Sequence, residues 1–313
     1  TVVTLELRHF YLDISYNLPK LNPYAQWNPE GITFASNTTL GAQPFSLFID
    51  RNNTIYAANT QFNQIVLWKN SSFNVTRIVS ANFSRPYVLF IAGNGDIFIS
   101  NNYSSNSIAQ HQLNSNSTTT VMLIDQQCFG LFVDIAYNIY CSLRDLNQVV
   151  KKHINSISNT LIIVAGSSCS LPTSNVLNRP YGIFVDGNFD LYVADCGNDR
   201  IQLFSINQLN GTTVAGSNST NTTFPLDCPT GVILDADKYL FIVDQSNHRI
   251  IGSGPNGFRC IVGCSGSSGS TAEKLLNPTT MVFDSFGNIY VTDTNNNRIQ
   301  KFVLLNNTNR KFC

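Results

Sequence analysis

The chain has 313 residues, of which 43% are hydrophobic and 12% are charged, and its formal net charge is zero. The length fits two domains or one large β fold, and the hydrophobic content is sufficient for a sizeable core. Lys151-Lys152-His153 is the densest basic stretch, which argues against nucleic-acid binding because that requires clustered positive charge. No apolar run approaches the ~18 residues that a membrane-spanning helix requires.

Several features favour a secreted protein. The chain begins at Thr1 without a basic and apolar leader, so we expect that a signal peptide has been removed. Its eight cysteines fit a disulfide-bearing extracellular protein better than buried free thiols in a cytosolic one. Most Asn-x-Ser/Thr sequons fall in polar turns, where a glycan has room. The predicted glycosylation sites are Asn37, Asn52, Asn70, Asn74, Asn82, Asn102, Asn116, Asn210, Asn218, Asn221 and Asn306.

The first predicted element is an extended arm, Thr1 to Asn17, in which apolar and polar residues alternate. The register slips at His9-Phe10, as a β-bulge would produce. A long strand without a partner promotes aggregation, so we expect this arm to be covered. It either packs along its own domain or adds a strand to a neighbouring copy, and its extended reach of about 55 Å permits both.

After the arm, one pattern recurs six times along the chain. Its clearest copy, "RPYGIFVDGNFDLYVADCGNDRIQLF" from Arg179, has three apolar runs separated by a tight turn and a polar loop. The residue that ends the first run marks the period, and the steps are 42, 42, 52, 49 and 49 residues. These residues are Asp50, Ala92, Asp134, Asp186, Asp235 and Asp284.

Each copy predicts a sheet of four antiparallel strands. In the Arg179 copy the strands are Gly182–Asp186, Leu191–Ala194, Arg200–Phe204 and a fourth in "GTTVAG" after Asn210. No stretch predicts a helix longer than a turn or two. Four strands repeated every 40 to 50 residues indicate an all-β fold, a six-bladed β-propeller.

The sequence also predicts how the ring closes. The sixth copy ends soon after its third strand, whereas Gly31 to Ala35 resembles a fourth strand with no blade of its own. We therefore expect Gly31 to Ala35 to complete the last blade, which removes two sheet edges. Arg310 to Cys313 is the rival for that position. Residues 1–26 are then an N-terminal extended arm, and residues 27–313 form the propeller.

The repeats resemble those of NHL-repeat propellers across residues 27–304. The resemblance rests on the "P-x-G-x-x-x-D" opening, the "I-Y-V-x-D" second strand and the "D-x-x-N-x-R-I" tail. Ala92, Asn59 and Gln64 depart from this pattern in the first copies, so we expect those blades to be looser. The resemblance implies the fold and little chemistry, because family members range from enzymes to binding modules. The tails are Asp195/Asn198/Arg200, Asp244/Asn247/Arg249 and Asp293/Asn296/Arg298.

The repeated Asp, Asn and Arg of the tail are expected to act as a scaffold device and not as a ligand site. Asp at a strand end accepts N–H groups of the following turn, Asn tolerates the left-handed conformation, and Arg braces the loop through the Asp. Three copies at one structural position favour this interpretation over a contact with ligand.

Enzymatic activity is not expected, although the resemblance raises two metal chemistries. Peptidylglycine-amidating lyases have a similar propeller that holds zinc through histidines near the axis, but no histidine here lies on a first strand. Lactonase-like propellers bind calcium in the channel, but none of the glutamates lies on a first strand either. No Gly-x-Ser-x-Gly elbow is present. We predict no catalytic, cofactor-binding or metal-binding residue and no cofactor. The residues considered are His9, His111, His153, His248, Glu6, Glu30 and Glu273.

One disulfide is predicted from blade geometry. Cys196 begins the loop after the second strand of blade four, and Cys228 precedes the first strand of blade five. Both loops lie on the same face of adjacent blades, which favours a Cys196–Cys228 pair, with Cys169–Cys196 as the rival. Cys260 and Cys264 also favour a disulfide role over zinc binding.

The favoured function is a secreted, non-catalytic module that binds a protein or glycan on the face formed by the entry loops. These loops include "SSCSLPTSNVLNRP" and "GSNSTNTTFPLDCP". The first alternative is a structural subunit of an extracellular assembly or filament, a homo-oligomer joined through Thr1 to Asn17. The second alternative is a metal-dependent lyase or lactonase-like enzyme.

Overall fold

The protein is an all-β propeller. Its computed structural model describes residues 14–81, 83–101, 106–166, 176–219 and 224–307. The strands form six four-stranded antiparallel sheets in a ring, and a two-stranded pair is added at one end. This architecture confirms the predicted six-bladed β-propeller.

Blades one to three follow one another along the chain, and their strands are given from the axis outward. Blade one contains Leu47–Ile49, Ile55–Asn59, Gln64–Trp68 and Arg77–Val79. Blade two contains Pro86–Ile91, Ile97–Asn101, Ser107–Gln112 and Ser117–Leu123. Blade three contains Cys128–Val133, Asn138–Leu143, Gln148–His153 and Ile162–Gly166.

Blades four and five have the same order, and blade six takes its outer strand from the N-terminal part of the chain. Blade four contains Pro180–Val185, Leu191–Asp195, Arg200–Phe204 and Thr212–Gly216. Blade five contains Pro229–Leu234, Leu240–Asp244, Arg249–Gly254 and Gly257–Val262. Blade six contains Met281–Phe283, Ile289–Asp293, Arg298–Phe302 and Ile32–Ser36.

The predicted strands of blade four are close to those observed. The inner strand begins at Pro180 and not at Gly182, because Pro180 pairs with Asp195 across an irregularity in the register. Helices in the described residues are at most one turn long, as expected. They are the α-helix Asn37–Leu40 and the 3₁₀ turns Lys69–Ser71, Arg144–Leu146, Cys196–Asn198 and Thr294–Asn296.

The ring closes as the sequence predicted. Ile32–Ser36 pairs with Arg298–Phe302 as the outer strand of blade six, one residue later than the predicted Gly31 to Ala35. The rival strand at Arg310 to Cys313 is wrong because this position is occupied, and those residues lie outside the described part of the chain. Phe34 fixes the closure, since its ring centre lies 5.5 Å from that of Trp68 in blade one and 5.4 Å from that of Tyr290 in blade six.

A repeated hydrogen bond joins neighbouring blades. In five blades the residue before the third strand has a positive φ, and its side chain accepts the backbone N–H of the residue that enters the next blade. Asn147 Oδ1, for example, accepts the N–H of Arg179 at 2.8 Å. The other acceptors are Asn63, Asp199, His248 and Asn297. These bonds set the spacing of the blades around the channel.

The central channel has two ends, which we name by the inner strands. Each inner strand begins at the entry end and finishes at the turn end, where the tight hairpin to the second strand lies. Residues 14–27 run across the turn end of their own propeller. Asn17 Nδ2 donates to the carbonyl oxygens of Asp50 at 3.0 Å and Phe283 at 3.1 Å, and Gln26–Trp27 pairs with Leu304–Asn306. The last part of the predicted arm therefore belongs to the fold.

Candidate functional site

A cavity of about 130 Å³ lies in the central channel. The inner strands of all six blades form its wall, and Tyr16 of the N-terminal segment lies at its turn end. The wall has two tiers of side chains. The upper tier lies at the entry end, and the lower tier lies three residues further along each inner strand. The cavity is therefore a pocket that opens toward the entry end.

Aromatic rings form the upper tier in blades one to four. Their centres are 4.4, 5.3 and 5.0 Å apart in succession, and the residues are Phe45, Tyr87, Phe129 and Tyr181. Blades five and six have Thr230 and Thr279 at the same position. The upper tier is thus a half-ring of aromatic side chains faced by two small ones, which leaves space on one side of the axis.

The lower tier repeats this asymmetry. Blades one to four contribute Phe48, Phe90, Phe132 and Phe184, with successive ring centres 5.0, 4.8 and 5.3 Å apart. Blades five and six contribute the smaller Ile233 and Val282, which are only half-buried.

Tyr16 closes the channel below this tier. Its ring centre lies 5.5 Å from that of Phe132 and 5.4 Å from that of Phe184, with the rings edge to face. Such pairs add favourable quadrupole contacts to the burial of apolar surface.

The hydroxyl groups on the wall are already used inside the protein. Thr230 Oγ1 donates to the Pro278 carbonyl at 3.3 Å, and Thr280 Oγ1 donates to the Phe45 carbonyl at 2.9 Å. Ser46 Oγ accepts the Leu89 N–H at 3.1 Å. These bonds tie blade five to blade six, blade six to blade one, and blade one to blade two. They leave the wall of the cavity mostly apolar in its chemistry.

Among the described residues, one cation lies beside the aromatic half-ring. The guanidinium carbon of Arg144 is 5.1 Å from the ring centre of Phe129 and 5.4 Å from that of Tyr181, which is cation–π distance. Arg144 is half-buried, and its Nε has no hydrogen-bond partner among the described residues. None of the ion pairs found between described residues involves it.

Two phenols of the channel, those of Tyr87 and Tyr16, have raised pKa values. Burial raises the pKa of Tyr87 far above its usual range, and the nearby Tyr181 hydroxyl raises it further, while the charge of Arg144 opposes the rise. Burial also raises the pKa of Tyr16, with Asp186 and Asp134 adding to the effect. Both hydroxyl groups therefore stay protonated near neutral pH, and neither is poised to act as a base.

The aspartates at the ends of the inner strands lie at the turn end. Oδ1 of each accepts two backbone N–H groups of its own turn, at 2.8 to 3.0 Å. They are Asp50, Asp134, Asp186, Asp235 and Asp284. These carboxylates hold the hairpins. Among the described residues, no group of three or more His, Cys, Asp or Glu is placed to bind a metal ion.

Asp235 is the exception in this set, because its Oδ2 is buried without a hydrogen-bond partner in the described structure. Burial raises the pKa of Asp235 from 3.8 to about 6, and the charge of Asp237 contributes, although the N–H groups of Tyr239 and Asp237 oppose the shift. The folded state then binds this proton more tightly than the unfolded chain does. Its contribution to stability therefore falls as pH rises from about 4 through 6.

We expect the free energy of unfolding of Asp235→Asn to fall less than that of the native protein between about pH 4 and pH 7. The difference should be on the order of 1 to 3 kcal/mol at about pH 7. Asn retains the oxygen that accepts the two N–H groups but carries no charge. Urea unfolding at several pH values measures the change. Asp284→Asn is the matched control, since Asp284 Oδ2 already accepts from Asn288 Nδ2 at 2.7 Å. Equal slopes in the native protein and Asp235→Asn would contradict the assignment.

The repeated Asp, Asn and Arg form a clamp on the loop that enters their own blade. In blade four, Arg200 Nε and Asn198 Nδ2 donate to Asp195 Oδ2 at 2.7 and 2.9 Å, and Asp195 Oδ1 accepts the N–H of Asn178 at 2.7 Å. Arg200 also donates to the Val176 carbonyl at 3.0 Å. Burial raises the pKa of Asp195, against these hydrogen bonds. The carboxylate is fully engaged, which supports the predicted scaffold role.

Blades five and six repeat this clamp, and two details differ from the prediction. The Nε–Oδ2 distances are 2.7 Å for Arg249–Asp244 and 2.6 Å for Arg298–Asp293. Each Asp accepts from the loop before its blade, not from the turn that follows. The left-handed residue is the one after the Asn, not the Asn itself. These left-handed residues are Asp199, His248 and Asn297.

The histidines lie apart from the channel wall. His111 and His153 are on third strands and His248 is in the blade-five loop, as predicted, while His9 lies outside the described residues. Burial lowers the pKa of His111, and the charge of Arg77 lowers it further. His248 has a structural role, since its Nδ1 accepts the Asn277 N–H at 3.2 Å.

Three disulfides are present in the described structure. Cys196 is joined to Cys228, the pair that the sequence favoured, and it links the blade-four loop to the entry of blade five. Cys128–Cys141 and Cys260–Cys264 are the others, and the sequence left the first of these unassigned. The rival partner Cys169, like Cys313, lies outside the described residues.

The predicted glycosylation sites are mostly accessible. Of the eleven sequon asparagines, Asn306 is half-buried, and Asn82, Asn102 and Asn221 lie outside the described residues. The remaining ones are exposed: Asn37, Asn52, Asn70, Asn74, Asn116, Asn210 and Asn218. Within the described ranges, no helix is both long and apolar enough to cross a membrane.

Sequence reasoning missed the channel residues. The signal was visible in the aligned copies, where an aromatic residue follows the entry position in copies one to four and Thr follows it in copies five and six. Tyr16 carried no such signal, because it lies outside the repeats. Arg144 occupies a repeated position, but the equivalent residues are Cys196 and Thr294 and so show no shared chemistry. Only the fold brings them to the channel.

Comparison with known proteins supports the fold. A family model described as "NHL repeat" matches residues 275–302. An auxiliary nutrient binding protein from Bacteroides thetaiotaomicron has a TM-score of 0.66 and 14% identity, covering 93% of this chain and 75% of its own. Virginiamycin B lyase from Staphylococcus aureus has a TM-score of 0.59 and 12% identity, covering 90% of this chain and 100% of its own.

A further structural match comes from a complex of two proteins. The nidogen/laminin complex has a TM-score of 0.56 and 17% identity, with 68% of this chain and 76% of that chain covered. No curated protein matches the chain at a significant level. Identities this low show the fold alone. The family match over residues 275–302, the six aligned copies and the six-bladed ring support an NHL-repeat β-propeller.

Proposed function

We propose that the protein is a non-catalytic binding module whose ligand lies in the entry end of the central channel. The observation that carries this proposal is the one-sided pocket, with aromatic rings on blades one to four and small side chains on blades five and six. Concave, mostly apolar pockets with a few polar groups are the usual small-molecule sites of proteins. The ligand is therefore a ring compound that packs against the aromatic half.

The chemistry of the pocket supports binding without catalysis. The titratable side chains on its wall, within the described residues, are Tyr16, Tyr87 and Tyr181. Burial raises the pKa of Tyr16 and Tyr87, so neither takes up a substrate proton near neutral pH. The solved structures with this fold include both a protein named for nutrient binding and a lyase, so the fold permits either activity.

The expected ligand position differs in part from that inferred from the sequence, which was the surface of the entry loops. Much of the two quoted loops, residues 167–175 and 220–223, lies outside the described residues. The channel mouth is on the same face, so a protein or glycan bound there would cover it. We place the primary site in the channel because the pocket is the concave, ring-lined part of that face.

We further propose that the module is extracellular and N-glycosylated. Three disulfides and the exposed sequon asparagines support this location. Expression in a eukaryotic secretory host, followed by enzymatic removal of N-glycans and intact-mass measurement, tests it. A mass unchanged by this treatment would contradict glycosylation.

Assembly through the N-terminal arm is a separate proposal, and the structure changes its experiment. Removal of Thr1 to Asn17 would also remove Tyr16 and Asn17, which pack in the channel and bind Asp50 and Phe283. If that truncation formed no filament, the cause could be either the loss of the assembly contact or a damaged fold. Removal of residues 1–13 alone keeps these contacts. Light scattering of this shorter truncation against the full chain is the informative comparison.

Blocking the pocket tests the ligand-binding proposal. Val282→Phe gives blade six the residue that blades one to four carry in the lower tier, so it should fill the space beside the axis. We expect single-ring compounds to bind the native protein in saturation-transfer NMR and to lose at least tenfold in affinity with Val282→Phe. Ile233→Phe, the equivalent change in blade five, serves if the first variant does not fold. Equal binding to native and blocked proteins would exclude the channel.

A further inference from the structure

The volume of the channel pocket limits what it accepts, and this inference rests on the proposed function. Its volume is about 130 Å³. A protein cavity of about 150 Å³ lined by apolar side chains holds one benzene molecule. The pocket therefore fits one six-membered ring, with any substituent directed toward the open entry end.

The wall favours an aromatic ring over a sugar ring. Thr230 and Thr280 already donate their hydroxyl protons to backbone carbonyls, and Ser46 Oγ already accepts a backbone N–H. A sugar would bury hydroxyl groups against Phe48, Phe90 and other rings that offer no strong partner, which is unfavourable. A flat apolar ring instead completes the aromatic contacts on the open side of the half-ring.

The rim of the pocket, where the upper tier meets the entry end, carries a positive charge. The guanidinium of Arg144 lies over Phe129 and Tyr181, and both of these rings line the pocket. Its Nε is buried and without a hydrogen-bond partner among the described residues. A buried donor without a partner is unfavourable, and a guanidinium fork matches a carboxylate in geometry and charge. The rim therefore carries a positive charge that has no ion-pair partner among the described residues.

We propose that the channel binds a small aromatic carboxylate, with its ring in the pocket and its carboxylate at the entry end beside Arg144. Tyr87 and Tyr181 stand at the same rim. The ring supplies burial of apolar surface, and Arg144 supplies selectivity for the charge. A neutral ring of the same size should bind more weakly, and an anion without a ring should not bind measurably.

Calorimetric titration with three probes tests this proposal: benzoate, benzyl alcohol and acetate, at pH 7 and low salt. We expect the native protein to bind benzoate more tightly than benzyl alcohol and to give no signal with acetate. Arg144→Gln should weaken benzoate binding about tenfold or more while leaving benzyl alcohol unchanged. Thermal melting of the variant establishes that its fold is intact.

Two control variants separate the inference from the proposed function. Arg51→Gln removes the same charge from an exposed residue at the turn end and should leave benzoate binding unchanged. Val282→Phe, or Ile233→Phe in its place, should abolish binding of both ring compounds. If benzyl alcohol binds as tightly as benzoate, or if both arginine variants weaken benzoate equally, the role of Arg144 is overturned and ring binding stands. If no ring compound is sensitive to the blocking variants, the channel site itself is wrong.

Discussion

Deletion of residues 1–40 is expected to abolish cooperative folding of the propeller. The deletion removes the outer strand of blade six, Ile32–Ser36, and with it the pairing to Arg298–Phe302. It also removes buried side chains, among them Phe34, Leu40 and Trp27. Their burial contributes on the order of 1.5 to 3 kcal/mol each, so the loss is comparable with the whole stability of a typical domain. Urea unfolding followed by circular dichroism measures it.

A shorter deletion is the matched control for this experiment. Removal of residues 1–13 leaves every described contact of the N-terminal segment in place, including Tyr16 in the channel and Trp27 Nε1 donating to the Gly287 carbonyl at 2.8 Å. We expect it to unfold at nearly the native urea concentration. If the protein without residues 1–40 unfolds at the native midpoint, the closure through Ile32–Ser36 is not what holds the ring.

Arg200→Gln is expected to destabilise the protein by about 3 to 5 kcal/mol, the usual effect of leaving one partner of a buried ion pair behind. Asp195 is 0% exposed and Arg200 is 4% exposed, so water does not replace the lost partner. The variant also loses the bond from Arg200 to the Val176 carbonyl, which holds the loop entering blade four. Chemical unfolding of the variant and the native protein gives the difference.

Blade one carries a neutral version of the clamp, and copying it into blade four gives the matched control. Asn59 and Gln64 occupy the positions of Asp195 and Arg200, and each pair lies opposite in its sheet. The double variant Asp195→Asn/Arg200→Gln removes both charges and should recover much of the stability lost in Arg200→Gln. If the double variant is less stable than the single one, the cost comes from packing of the Arg200 side chain and not from the orphaned carboxylate.

The blades were predictable because their signals are local and repeated. Alternating apolar runs, the tight turn after Asp186 and the clamp at Asp195 recur at a regular period, so each copy supports the interpretation of the others. The closing strand was predictable by counting, since one copy lacked a fourth strand and one strand lacked a blade. The Cys196–Cys228 disulfide followed from the placement of both loops on one face.

The sequence by itself therefore determined the architecture: the number of blades, the order of strands and the way in which the ring closes. The chemistry of the channel was decided only by the tertiary structure. The ring of Tyr16 contacts those of Phe132 and Phe184, which lie far from it in the sequence. Arg144 of blade three contacts Tyr181 of blade four. A ring of blades converges on one axis, so side chains far apart in sequence become neighbours there. No local period of the sequence records that convergence, and the pocket exists only once the ring has closed.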